Sequence, residues 1–131
     1  MKNLTLLATV FFCSMAMAQS SNITGYSKKG LVFYTTEIAR GDIEYGSKDL
    51  FIFEFVNKAK RPAIINDVQT SCGCTTAEKP LGEIKKRGKG KISVSYDTYR
   101  LGPFTKTITV SSTVGLPIVL TISGNVLPEK H

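Results

Sequence analysis

Cys72 and Cys74 stand one residue apart in the stretch Thr70-Ser71-Cys72-Gly73-Cys74-Thr75-Thr76. In an extended strand, residues i and i+2 face the same side, so both sulfurs point together. Their Cα atoms then lie about 7 Å apart, at the upper limit for a disulfide. A bond needs the chain to fold into a tight turn. Gly73 permits one, with Ser71 and Thr75 as the supporting residues on either side. So short a loop gains little from closure, roughly 1.6 kcal/mol before strain is subtracted. A disulfide here is a poor staple and a labile, oxidising bond. In the reduced state the pair suits a soft ion such as Cu(I), which accepts low coordination. Zinc wants four ligands, and His131 is the sole imidazole. The plainer reading is that both cysteines are small, half-buried turn residues, since free cysteine packs as a small hydrophobe.

A second candidate is Lys85-Lys86-Arg87-Gly88-Lys89-Gly90-Lys91, with five basic residues in seven. Lys85, Lys86, Arg87, Lys89 and Lys91 could contact an anionic glycan or lipid headgroup; a solvated loop before a strand is the simpler account. No aromatic residue interleaves the cluster, as a single-strand nucleic-acid binder would want. Over the whole chain, 17 basic residues against 10 acidic give a formal charge of +7. That favours solubility and attraction to anionic surfaces and does not bear on fold. Asp42 and Glu44 have same-face spacing for paired-carboxylate chemistry, although a rim of solvated charge explains them as well. The chain has no G-x-S-x-G and no mid-chain histidine to act as a general base, which excludes a Ser-His-Asp or Cys-His centre. The expectation is a protein that is not an enzyme.

The elements that must carry these residues begin after an export signal. Met1-Lys2-Asn3 is a short positive start, Leu4 to Phe12 is an almost continuous apolar run, and Ala16-Met17-Ala18 is an A-x-A cleavage site. Residues 1–18 therefore read as a signal peptide, too short to anchor the mature chain across a bilayer. Cys13 should leave with it, because Phe12 stands where an acylation site wants a small residue. Residues 19–30 read as a flexible leader, and 31–131 as one domain. Two cysteines then remain, in a compartment where disulfides form. Export also argues against nucleic acid as the partner.

Within the domain, Leu31 to Thr35 is a first strand. Gly41 to Gly46 is bracketed by glycines that suggest turns. Asp49 to Asn57 alternates, with Phe51, Phe53 and Phe55 on one side and Glu54 between them, the period of a half-buried strand. Ala63 to Thr70 is the next strand and runs directly into the cysteines. Thr75 to Gly90 reads as irregular, punctuated by Pro80, Gly82, Gly88 and Gly90. Ile92, Val94 and Tyr96 alternate with serines. Leu101-Gly102-Pro103 reads as a turn, and Phe104 to Ser112 and Ile118 to Val126 close the series around Gly115. No segment shows a sustained helical period. About seven short strands at regular spacing predict an all-β fold, an antiparallel immunoglobulin-like sandwich. With no tryptophan and no widely spaced cysteine pair, it is not of antibody type.

Taken together, Gly41-Asp42-Ile43-Glu44-Tyr45-Gly46, the Phe51 to Asn57 strand, Ser71-Cys72-Gly73-Cys74-Thr75, Tyr96-Asp97-Thr98 with Gly102-Pro103-Phe104, Lys106 to Val110 and Gly124-Asn125-Val126 form a specific pattern. From about Phe33 to Val126 the chain resembles the secreted bacterial proteins known as domain of unknown function 1573. It departs from that pattern at Arg87-Gly88 and at Ser111-Ser112. The resemblance implies an immunoglobulin-like fold similar to major sperm protein and Hydin-type domains. It also implies a place in the envelope of a Gram-negative bacterium, in the periplasm or outside the cell. It supplies no activity. The expected partner is a protein or an envelope component. Because the family's signature includes the Cys-Gly-Cys centre, the resemblance adds weight to a role for those two residues.

Overall fold

The computed structural model describes residues 29–131. The signal peptide, Cys13 and nearly all of the leader lie outside the described residues. The described chain forms eight strands and no helix: β1 (Leu31–Phe33), β2 (Glu37–Ile43), β3 (Leu50–Asn57), β4 (Ile65–Thr70), β5 (Thr75–Glu78), β6 (Lys89–Tyr96), β7 (Gly102–Ser112) and β8 (Ile118–Val126). They make two four-stranded sheets, ordered β1-β3-β6-β5 and β2-β8-β7-β4. The layers are those of the immunoglobulin-like sandwich that the strand pattern predicts.

The core follows from the alternation. Phe51, Phe53 and Phe55 of β3 are buried, as are Ile92 and Val94 of β6; from the other sheet come Ile108, Val110, Leu120 and Ile122, all in one cluster. Glu54, between the phenylalanines, is exposed. Each fully buried phenylalanine contributes roughly 1.5–3 kcal/mol relative to exposure, so β3 is the strand on which the first sheet hangs. The rings also pack on one another: Phe55 tilts against Phe33 at 5.1 Å between centroids, and Tyr96 stacks on Phe104 at 3.7 Å.

Four local differences from the sequence reading have physical causes. Gly41 does not end an element. It lies inside β2 at a register shift between Ala39 and Asp42, with φ of 66°, so it makes a bulge rather than a turn. β2 pairs parallel to β8, whereas the other ladders are antiparallel. Its edge is blunted: the Arg40 guanidinium donates to the Leu50 carbonyl and lies over the Phe51 ring at 4.9 Å. Thr75 to Glu78 is a strand, not irregular chain, because Thr75 pairs with Tyr96 and Glu78 with Ser93. Four residues without apolar alternation carry too little signal to be seen alone. Finally, the turn before β7 is Asp97 to Arg100, closed by the Arg100 amide on the Asp97 carbonyl at 3.1 Å; Gly102 and Pro103 already belong to the strand.

Gly90 is fixed by packing. It sits opposite Phe55 in the β3–β6 ladder, and a Cβ there would lie 2.5 Å from Phe55 Cζ and 3.0 Å from Cε2. Phe55 is fully buried and cannot swing away. Gly90→Ala is therefore expected to destabilise the domain by about 1–3 kcal/mol. Urea unfolding would show this as a lower midpoint with an unchanged slope.

Candidate functional site

The chain crosses from the second sheet to the first between β4 and β5, and the cysteines occupy that corner. Cys72 and Cys74 are joined by a disulfide, with Cα atoms 5.3 Å apart. The turn is closed by the Thr75 amide on the Cys72 carbonyl at 3.2 Å. Thr70 Oγ1 donates to the same carbonyl at 3.1 Å. Ser71 ties the corner to β7 in two directions: its amide donates to the Thr107 carbonyl at 2.9 Å, and its Oγ accepts from the Thr107 amide at 3.1 Å. On the far side, the Asp97 amide donates to the Cys74 carbonyl at 2.8 Å. Gly73 is exposed and does not adopt a positive φ, and a Cβ there meets nothing within 4 Å. The turn thus closes without a left-handed residue at its centre, and glycine leaves the approach to the sulfurs open.

The two sulfurs differ. Cys72 is half-buried and Cys74 is buried, 7% exposed. Cys72 Sγ accepts the Cys74 amide at 3.0 Å. Cys74 Sγ lies 3.8 Å from Thr75 Oγ1, itself buried. A disulfide sulfur carries no proton, so the hydroxyl is the donor there. Beside the corner, the Asp97–Arg100 turn presents Tyr99 at 64% and Leu101 at 60% exposure, with Tyr45 packed edge-on against Tyr99. No cluster of three or more His, Cys, Asp or Glu side chains suited to a metal occurs among the described residues.

Because the disulfide closes so short a loop, its loss is expected to change stability by no more than about 2 kcal/mol. Cys72→Ser and Cys74→Ser proteins, and the reduced wild type, should all unfold cooperatively within that margin. A collapse of the fold on reduction would assign the bond a structural role instead.

The basic run lies at the opposite end of the sandwich. Lys89 and Tyr96 bound β6, about 23 Å apart at the usual strand rise, and Cys74 precedes the partner of Tyr96. Lys85, Lys86, Arg87, Lys89 and Lys91 are all exposed. The Gly88 amide closes a turn on the Lys85 carbonyl at 2.7 Å. Arg87 occupies the third turn position with φ of 64°, the only positive φ among the described non-glycine residues. That is the type II position that ordinarily takes glycine.

Asn57, fully buried at the end of β3, adds a second cationic loop to the first. Its Nδ2 donates to the Arg61 and Ile84 carbonyls at 2.9 and 3.0 Å and reaches Lys85 O at 3.4 Å; its Oδ1 accepts the Ala59 amide at 2.9 Å. Its backbone bonds Gly88 and Arg87. Lys58, Lys60 and Arg61 are thereby held beside Lys85 to Lys89. With Lys29 and Val114 they line a shallow depression of about 430 Å³. Sequence reading left this second loop out of the site. Its own composition was the available signal, but the pairing of the two loops is long-range. Asp42 and Glu44 are exposed; Asp42 Oδ1 accepts from Asn125 Nδ2 at 3.0 Å, and Glu44 lies beyond the end of β2.

Solved structures with the same architecture span wide evolutionary distances. A PapD-like domain of human CEP192 superposes with a TM-score of 0.65 at 10% identity, covering 89% of this chain and 99% of that one. A protein of unknown function from Porphyromonas gingivalis W83 gives 0.64 at 14% identity, covering 80% of this chain; the chain spans about half, 51%, of that protein's length. The YadV chaperone gives 0.50 at 15% identity, with coverages of 76% and 52%. At these identities the likeness shows the fold. No curated protein matches the chain. The family model described as protein of unknown function DUF1573 matches residues 31–126, nearly all of the described sandwich, and the chain belongs to that family.

Proposed function

We propose that this chain is an exported, non-enzymatic accessory module of the cell envelope, in the periplasm or outside a Gram-negative cell. It binds an anionic envelope component through its cationic end and turns its disulfide end toward a protein partner. The observation that carries this reading is Arg87. A cation placed at a left-handed turn position costs about 1 kcal/mol that glycine would avoid, and it sits where two separate loops pool their charge. Strain retained at an exposed cluster of like charge favours a surface that meets opposite charge. No described helix is long and apolar enough to cross a membrane. The fold is also that of the YadV chaperone, and a protein-docking role for this chain is in keeping with it. The test is co-sedimentation of the domain with phosphatidylglycerol vesicles and with an acidic polysaccharide, against phosphatidylcholine vesicles as control. Binding to either anionic partner that weakens steeply with salt is the expected result. Equal recovery with all three, or none, would end this reading.

A second reading rests on the sulfurs. Cys72 is partly exposed in a bond that adds little stability, the profile of an exchanging disulfide rather than a staple. Such a bond also fits an oxidising compartment. In the reduced state the same two thiols would offer a soft ion such as Cu(I) a two-sulfur site. A reduction potential above about −250 mV supports exchange, whereas stoichiometric copper on protein taken from its own compartment supports metal carriage.

A further inference from the structure

Resting on the reading of Cys72–Cys74 as an exchanging disulfide, we propose that the bond has a fixed polarity: Cys72 is the sulfur attacked, and a cysteine pair of a partner protein is what it oxidises. Burial sets the polarity, each step of the exchange has a donor for its leaving sulfur, and the neighbouring surface suits a protein partner. Cys72 is partly exposed while Cys74 is buried, so an incoming thiolate has the freer access to Cys72. Each sulfur also has its own donor for the charge it must carry on leaving. Thr75 Oγ1 lies 3.8 Å from Cys74 Sγ, and the Cys74 amide lies 3.0 Å from Cys72 Sγ. Finally, the turn whose Asp97 amide bonds the Cys74 carbonyl carries exposed Tyr99, with Tyr45 packed on it, and leads into exposed Leu101. This is the surface a protein thiol would dock against, and a small reductant would not need it.

The exchange balances in two steps. A partner thiol loses its proton, and its thiolate attacks Cys72 Sγ. A partner–Cys72 bond forms, the Cys72–Cys74 bond breaks, and the electron pair departs on Cys74 Sγ, which accepts from the Thr75 hydroxyl and then takes a proton. The partner's second thiolate next attacks its own bound sulfur. A disulfide forms within the partner, the mixed disulfide breaks, and Cys72 Sγ leaves with the electron pair toward the Cys74 amide. The partner has lost two electrons and two protons, and both cysteines of this chain end as thiols. Thr75 acts as a positioning residue for the first leaving group.

The experiment uses reduced glutathione as probe on the oxidised domain, because a monothiol halts at the mixed disulfide. The reaction is quenched early with an alkylating agent, and the two cysteines are assigned by peptide mass. Glutathione on Cys72 with the alkyl group on Cys74, at least tenfold over the reverse, is the expected result. Glutathione on Cys74, or equally on both, overturns the polarity while leaving exchange intact. A disulfide that excess glutathione does not open removes the exchange reading itself, and the polarity with it. Thr75→Val, checked for native unfolding, should slow opening about tenfold, and Thr75→Ser should restore it; equal rates in all three would strip Thr75 of its role.

Discussion

Asn57→Ala lowers the stability of the domain by about 2–4 kcal/mol, the largest loss expected from any single polar side chain described here. Alanine leaves the Ala59 amide without the Oδ1 acceptor 2.9 Å away and takes from the Arg61 carbonyl its Nδ2 donor. The Ile84 and Lys85 carbonyls each keep another partner, from Ala63 and Gly88, and this keeps the loss from being larger. Asn57 is fully buried, so water does not replace what is lost. For a domain of this size the melting temperature falls by on the order of 15 °C. Asn57→Asp is worse, because its carboxylate faces carbonyl oxygens with no hydrogen to offer. A midpoint in urea indistinguishable from wild type would mean that the loops of residues 58–61 and 85–88 hold themselves in place. With the native bridge, the two loops form one rigid cationic end.

The same residue shows where sequence reading reaches its limit. The face of β3 is legible because Phe51, Phe53 and Phe55 alternate with residues that are not buried, and burial of one face is a local property. Asn57 ends that strand and reads as an ordinary polar terminus. Its role depends on carbonyls at Ile84 and Lys85, 27 and 28 residues away. The corner at the cysteines divides in the same way. That a bond across one residue requires a turn follows from chain geometry alone. Which sulfur is buried does not, because the corner takes its place only when β5 pairs with the distant β6, with Thr75 opposite Tyr96 and the Asp97 amide on the Cys74 carbonyl. β5 itself was invisible for lack of alternation, and the parallel pairing of β2 depends on a crossing between sheets that no local pattern encodes. The segregation of sulfur and charge to opposite ends is likewise a product of topology.

Removing charge from one loop tests what that segregation is for. Lys85→Gln, Lys86→Gln, Arg87→Asn and Lys89→Gln together are expected to weaken binding to phosphatidylglycerol vesicles by about three orders of magnitude, at roughly 1 kcal/mol for each cation near an anionic surface. Asparagine is chosen at Arg87 because it tolerates the left-handed conformation that the φ of 64° requires. The four side chains are exposed, so stability should stay within about 0.5 kcal/mol of wild type. The salt dependence should flatten along with the affinity, since fewer counterions are exchanged on binding. Glutathione opening of the disulfide should proceed at the wild-type rate, because the two ends are separated by the length of β6. An unchanged vesicle affinity would move the anion contact to Lys58, Lys60 and Arg61, and the matching substitutions there would decide it. A loss of disulfide reactivity alongside the loss of binding would contradict the independence of the two ends, and with it the picture of a rigid sandwich that anchors at one pole and meets its partner at the other.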